Sequence, residues 1–179
     1  MTAGKCKSGA IGFLRRRKAI PFAKVNALGA DGYNPALQRH HLLPLQLLAE
    51  RYFSRMFCSI GRSRIGIDDF RANGMLLPAN EETSLSLGLP LHRGPHRAYN
   101  EMVIERVGRI EESWSNFVAR DPEAALEEAL LRLGLLQAAL RRRLLDERRR
   151  IMLNAKDPLG QGYDFTELDA MVEELWKAG

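Results

Sequence analysis

The sequence predicts an α+β fold that is mostly helical, with a small strand–strand–helix unit around residues 38–112 followed by two more helices. Three observations point there. Two brief apolar runs broken by proline, Leu42-Leu43-Pro44-Leu45 and Met75-Leu76-Leu77-Pro78, have the length of short strands or strand ends. Apolar residues recur at helical spacing at Met102, Val103, Val107 and Ile110, and again from Leu126 to Leu145. The chain of 179 residues, 45% hydrophobic and 27% charged, has the size of one ordinary domain or a small domain with an appendage.

Taken in order, residues 1–36 read as a basic, loosely structured lead, rich in turn formers (Gly29, Gly32, Asn34, Pro35) and carrying the run Arg15-Arg16-Arg17-Lys18. Residues 37–119 form the central unit. Leu42 to Leu45 is a strand end and turn, and Leu48, Tyr52, Met56 and Phe57 predict a helix over 47–60, before Gly61. Ile65 to Asp69 connects to the turn Ala72-Asn73-Gly74, which runs straight into the second strand. Ala79 to Leu91 reads as polar and irregular, with Pro90 blocking a helix. Pro95 suits a first helical turn that continues to about Ala119.

Residues 120–179 read as a helical extension packing on or beside that unit. Asp121 is an N-cap with Pro122 at the first helical position, and Leu126, Leu130, Leu133, Leu140, Leu144 and Leu145 form the buried face. Arg141–Arg143 and Arg148–Arg150 read as its solvated side with i, i+4 pairs, the alternative being a grip on nucleic acid. Asn154 to Gly162 is a linker, and Asp164 caps an acidic last helix through Leu168, Met171, Val172, Leu175 and Trp176.

Composition excludes several classes. No apolar stretch approaches the roughly 18–20 residues that span a bilayer, and residues 1–17 lack the apolar region of a secretory signal, so the expectation is a chain that is cytoplasmic when synthesised, with no membrane partner. Two cysteines, Cys6 and Cys58, make neither a disulfide framework nor a zinc-binding Cys-x-x-Cys. The formal net charge is +5, but residues 1–100 carry 15 Lys/Arg against 6 Asp/Glu, while residues 101–179 carry 12 against 16. A basic first half attracts anionic polymers, because neutralising phosphates releases counterions.

The four histidines are the informative residues. They fall as a tandem pair, His40-His41, and a spaced pair, His92-x-x-x-His96. Histidine is the commonest metal ligand, and three protein nitrogens leave one position on a zinc-class ion open for water or substrate. Three ligands plus one uncoordinated imidazole make a hydrolytic site, since the free ring has an ordinary pKa near 6.5 and can deprotonate water. Adjacent strand residues face opposite ways, so His40 and His41 divide between ligand and base rather than share one ion. The same geometry weighs against a structural zinc site made of all four.

Three blocks then stand in order: Arg39-His40-His41-Leu42-Leu43-Pro44, Ala72-Asn73-Gly74-Met75-Leu76-Leu77-Pro78 and Leu91-His92-Arg93-Gly94-Pro95-His96-Arg97-Ala98-Tyr99. Over residues 38–104 they resemble the AHH nucleases of the HNH/endonuclease VII superfamily, whose fold is the ββα-metal finger. Arg39 stands where the family name expects alanine. The resemblance implies that His40, His92 and His96 hold one divalent metal ion (Zn, Mg, Mn or Ni), that His41 is the general base, and that Asn73 braces the loop bearing His41. Tyr99 would pack against the site rather than react. Arg93 and Arg97, beside the ligand histidines, would clamp phosphates.

The expected function is therefore a metal-dependent endonuclease hydrolysing nucleic-acid phosphodiester bonds with weak sequence specificity, DNA favoured over RNA. The resemblance further implies a bacterial toxin or effector, delivered into a target cell by a secretion system and paired with an immunity protein. The competing reading is a non-catalytic nucleic-acid-binding or protein-interaction module that retains a structural metal site.

Overall fold

In the computed structural model, which describes residues 18–154, 157–160 and 166–177, two short strands form the only sheet among the described residues. Strands β1 (Leu37–His41) and β2 (Gly74–Pro78) pair antiparallel, from Leu37 opposite Pro78 to His41 opposite Gly74. Alternation along β1 buries His40, which is 3% exposed, and turns His41 to the other face, where it is half-buried.

The helix expected over 47–60 is shorter than its periodicity suggests. Two single 3-10 turns, Leu45–Leu48 and Arg51–Phe53, precede α1 (Ser54–Ile60). The extended backbone of Glu50 (φ −74°, ψ 115°) separates them, so continuous α-helix begins only at Ser54. Two one-turn helices follow, α2 (Arg62–Ile65) and α3 (Phe70–Asn73), the second capped by Asp69, whose side chain accepts from the Arg71 amide. Gly74 must be glycine, because a Cβ there would run into the Phe70 ring.

The stretch 79–91 departs from expectation, since α4 (Glu81–Leu87) occupies most of it. Asn80 caps this helix by accepting from the Thr83 amide at 2.9 Å, Glu81 and Glu82 favour its first turn, and Gly88 in the left-handed region (φ 60°) ends it ahead of Pro90. The polar residues that looked irregular are start signals for a helix.

Two long helices complete the frame, α5 (Arg97–Phe117) and α6 (Pro122–Leu145). Asp121 caps α6 by accepting from the Ala124 amide at 3.0 Å, with Pro122 at its first position. Helix α7 (Thr166–Lys177) lies on α6, with the Arg132 guanidinium 3.3 Å from the centre of the Trp176 ring. Asp164, the expected cap of that helix, lies outside the described residues.

One apolar core joins these elements: Leu42, Leu43, Leu47 and Leu77 around the sheet, Val103 and Val107 from α5, Leu133, Leu136 and Leu140 from α6, and Ile151 and Leu153 beyond it. Each such leucine contributes about 1.5–3 kcal/mol by burial. Arg141 and Arg143 are not solvated as expected. Arg141 donates to the carbonyls of Arg71 (2.7 Å), Ala72 (3.2 Å) and Gly74 (2.9 Å), and Arg143 is 3% exposed. Helix α6 passes beneath the α3–β2 junction, where the last carbonyls of a one-turn helix have no donors of their own.

The described part of the lead, from residue 18, is tied to the unit by specific bonds. The Ile20 amide donates to Asp69 Oδ1 at 3.0 Å, and the Phe70 amide donates to the Ile20 carbonyl at 2.8 Å. Asn26, in the left-handed region (φ 45°), donates through Nδ2 to the carbonyls of Asn34 and Leu37. Residues 15–17 of the basic run lie outside the described residues.

Candidate active site

Three separate pieces of chain bring His40, His92 and His96 together: β1, the loop after α4, and the residue capping α5. One ring nitrogen from each lies within 4.8 Å of the other two. Ring centroids stand 5.1 Å apart for His40 and His92, 5.6 Å for His40 and His96, and 4.4 Å for His92 and His96.

His40 Nε2 and His96 Nδ1 are buried and have no hydrogen-bond partner. A buried polar atom left so costs about 1–3 kcal/mol, and two of them within one histidine cluster fit a cation that accepts imidazole lone pairs. Electrostatics agree. Burial holds the His40 pKa well below its ordinary value, and His92, His96 and His41 lower it further. His92 is pushed down to about 4 by burial and by His96. Burial also lowers His96, against a hydrogen bond with the Leu153 backbone that raises it. All three rings are neutral near pH 7, the form in which imidazole binds metal.

Residues the sequence did not single out orient these rings. Gln38 Oε1 lies 2.9 Å from His92 Nδ1, and the His92 amide donates to the Pro78 carbonyl at 2.7 Å. Gln38 sits two positions before His40 on the same strand face, the one signal that could have marked it. Asn154 and Asp157, expected as part of a linker, grip the loop instead. Leu91 donates its amide to Asp157 Oδ2 and accepts at its carbonyl from Asn154 Nδ2, both at 2.7 Å. Tyr99 is fully buried with its ring 5.0 Å from that of His40, and its hydroxyl donates to the Leu42 carbonyl at 2.7 Å. Burial raises the Tyr99 pKa, so it remains a phenol.

His41 lies on the opposite face of β1, stacked on Phe22 with ring centroids 3.7 Å apart. Burial lowers its pKa, Asp68 opposes that shift, and Arg39 adds to it.

Asn73 is completely buried and engages the chain leaving β1. It accepts from the Leu43 amide (2.7 Å) and donates to the carbonyls of Leu43 (3.0 Å) and Ile67 (3.2 Å). Gln137 of α6 donates to it at 3.2 Å, and its own carbonyl accepts from the Leu42 amide at 2.8 Å. Arg93 and Arg97 are exposed on the loop and at the start of α5, and neither makes an ion pair or side-chain hydrogen bond among the described residues.

Comparison with known families returned one that matches residues 22–133, described as a nuclease family of the HNH/ENDO VII superfamily with a conserved AHH motif. Comparisons with curated proteins and with solved structures returned no match.

Proposed function

The chain belongs to the AHH nuclease family of the HNH/ENDO VII superfamily, and from that premise we propose that it is a metal-dependent endonuclease that hydrolyses nucleic-acid phosphodiester bonds. The observation that carries this reading is the cluster of three neutral histidines with two unpartnered buried nitrogens, beside a fourth histidine on the other face of the same strand.

In this reading His40, His92 and His96 hold one divalent ion, with zinc, magnesium, manganese and nickel as candidates. When bound, it supplies positive charge for the scissile phosphate and for the leaving 3′ oxygen. His41, neutral because its pKa is lowered, accepts the proton of the attacking water. Asn73 holds Leu43 and so fixes the backbone just past His41. Arg93 and Arg97, exposed beside the histidine loop, grip phosphate oxygens rather than base edges, which makes cleavage weakly sequence-specific and salt-sensitive. DNA is the favoured substrate. The biological setting proposed is a bacterial toxin or effector, made in the cytoplasm, delivered by a secretion system and restrained by an immunity protein.

The test is cleavage of supercoiled plasmid with and without added divalent metal, beside His41→Ala. Metal-dependent nicking that His41→Ala loses supports the proposal. Plasmid left intact by the wild type under every metal tried, with binding retained, would instead identify a non-catalytic nucleic-acid-binding module.

A further inference from the structure

Among the described residues neither ring nitrogen of His41 makes a hydrogen bond. A general base is ordinarily aimed by a partner on its second nitrogen, and here something else has to do it. The Phe22 ring lies flat on the imidazole, its centroid 3.7 Å away and its plane 6° from parallel. Stacked aromatic pairs of this kind attract beyond the area they bury. That is enough to favour one setting of a histidine χ2, a torsion that is broad on its own.

Phe22 is itself held from several sides. Phe70 meets it edge-on at 5.1 Å and 73°. Arg39, two residues before His41, donates from Nη1 to the Phe22 carbonyl at 2.8 Å. Just upstream, Ile20 is bonded at both its amide and its carbonyl, to Asp69 Oδ1 and to the Phe70 amide, and Pro21 bridges Asp69. The stack is thus built into the strand that carries His41 and into the turn that carries Asn73. A surface aromatic resting on a histidine by chance would lack those ties.

We propose that Phe22 is a positioning residue for His41: its ring fixes the plane of the imidazole, so that the nitrogen receiving the proton faces the water to be activated. The proposal rests on His41 being the general base.

The test uses the full chain with Phe22→Leu, which fills similar space without a flat ring, and Phe22→Tyr, which keeps the ring. Plasmid cleavage is resolved into kcat and KM, calorimetry reads metal affinity, and proton NMR reads the ring-current shift of the His41 ring protons. Phe22→Leu is expected to lower kcat roughly 10- to 100-fold, the scale of a misplaced catalytic group. KM and metal affinity stay unchanged, and the ring-current shift disappears. Phe22→Tyr restores rate and shift together. Should leucine impair folding, as a thermal melt would show, Phe22→Met takes its place. A cutting wild type matched by Phe22→Leu overturns the role of Phe22 alone, as does a Phe22→Tyr that falls as far as Phe22→Leu. A wild type that leaves plasmid intact under every divalent metal tried removes the nuclease reading, and the role with it.

Discussion

Asn73 and Leu43 are joined at both backbone groups of Leu43: the amide donates to Asn73 Oδ1 at 2.7 Å and the carbonyl accepts from Asn73 Nδ2 at 3.0 Å. A single carboxamide thus replaces a rung of ladder where the sheet has already ended, two residues past His41. With Gln137 and Arg141 of α6 bonded to the same turn, the backbone beside the candidate base is anchored to the longest helix of the fold. Asn73→Ala is expected to cost about 2–4 kcal/mol, because it strands buried donors and acceptors at about 1–3 kcal/mol each. Urea unfolding measures it, and a loss under 1 kcal/mol would show that the bracing is not needed.

His41→Ala should lower plasmid cleavage by about 10²–10⁴-fold, the usual worth of a general base, while calorimetric metal affinity stays at the wild-type value. If affinity collapsed in that variant, His41 would be a ligand and the roles within the tandem pair would exchange.

His40→Ala, His92→Ala and His96→Ala should each weaken metal binding and cleavage together. A variant of this set that titrates with metal as the wild type does places its residue outside the site.

Acid should destabilise the metal-free chain. His40, His92 and His96 have folded pKa values below the unfolded 6.5, His92 at about 4. Below pH 6.5 the unfolded state therefore binds more protons than the folded one, and stability falls as pH falls from about 6.5 toward 4. Thermal melts in chelator across that range check it. A triple His→Ala variant whose melting temperature declines just as steeply would assign the acid sensitivity to other groups.

Deleting residues 155–179 removes α7 and the Asp157 carboxylate that holds the Leu91 amide. The melting temperature should fall by several degrees, on the scale of about 2–4 °C per kcal/mol for a chain of this size, and metal affinity should weaken because Leu91, next to His92, loses one of its two side-chain holds. Asp157→Asn separates the effects: it leaves α7 in place and exchanges a charged acceptor for a neutral one. Unchanged melting in the truncation would leave α7 free to serve as a docking surface.

What the sequence disclosed follows from where the information sits. The histidines were legible because metal and base chemistry demand a rare side chain at fixed spacing, and the Asp121-Pro122 start of α6 because a cap is a local signal. Helix α4 was missed because Asn80, Ser84, Ser86, Gly88 and Pro90 all read as turn formers, although Asn80 and Gly88 are its two caps. Arg141, Asp157 and Phe22 were not legible at all. Each acts on backbone or a ring 19 to 70 positions away, and nothing in a residue's own neighbourhood announces a partner that tertiary packing will bring. The family resemblance covered that gap only for Asn73, whose placement against Leu43 no turn propensity foretells.

The grip on Leu91 also sets an order of events during synthesis. Its two holders lie 63 and 66 residues further along the chain, so a ribosome that has delivered all four histidines has not yet delivered the clasp for the loop bearing two of them. Long-range closure of that kind is slow relative to helix formation. A nascent chain therefore carries all four histidines without the side chains that clasp Leu91, and the finished loop belongs only to a chain in which Asn154 and Asp157 have folded back onto Leu91.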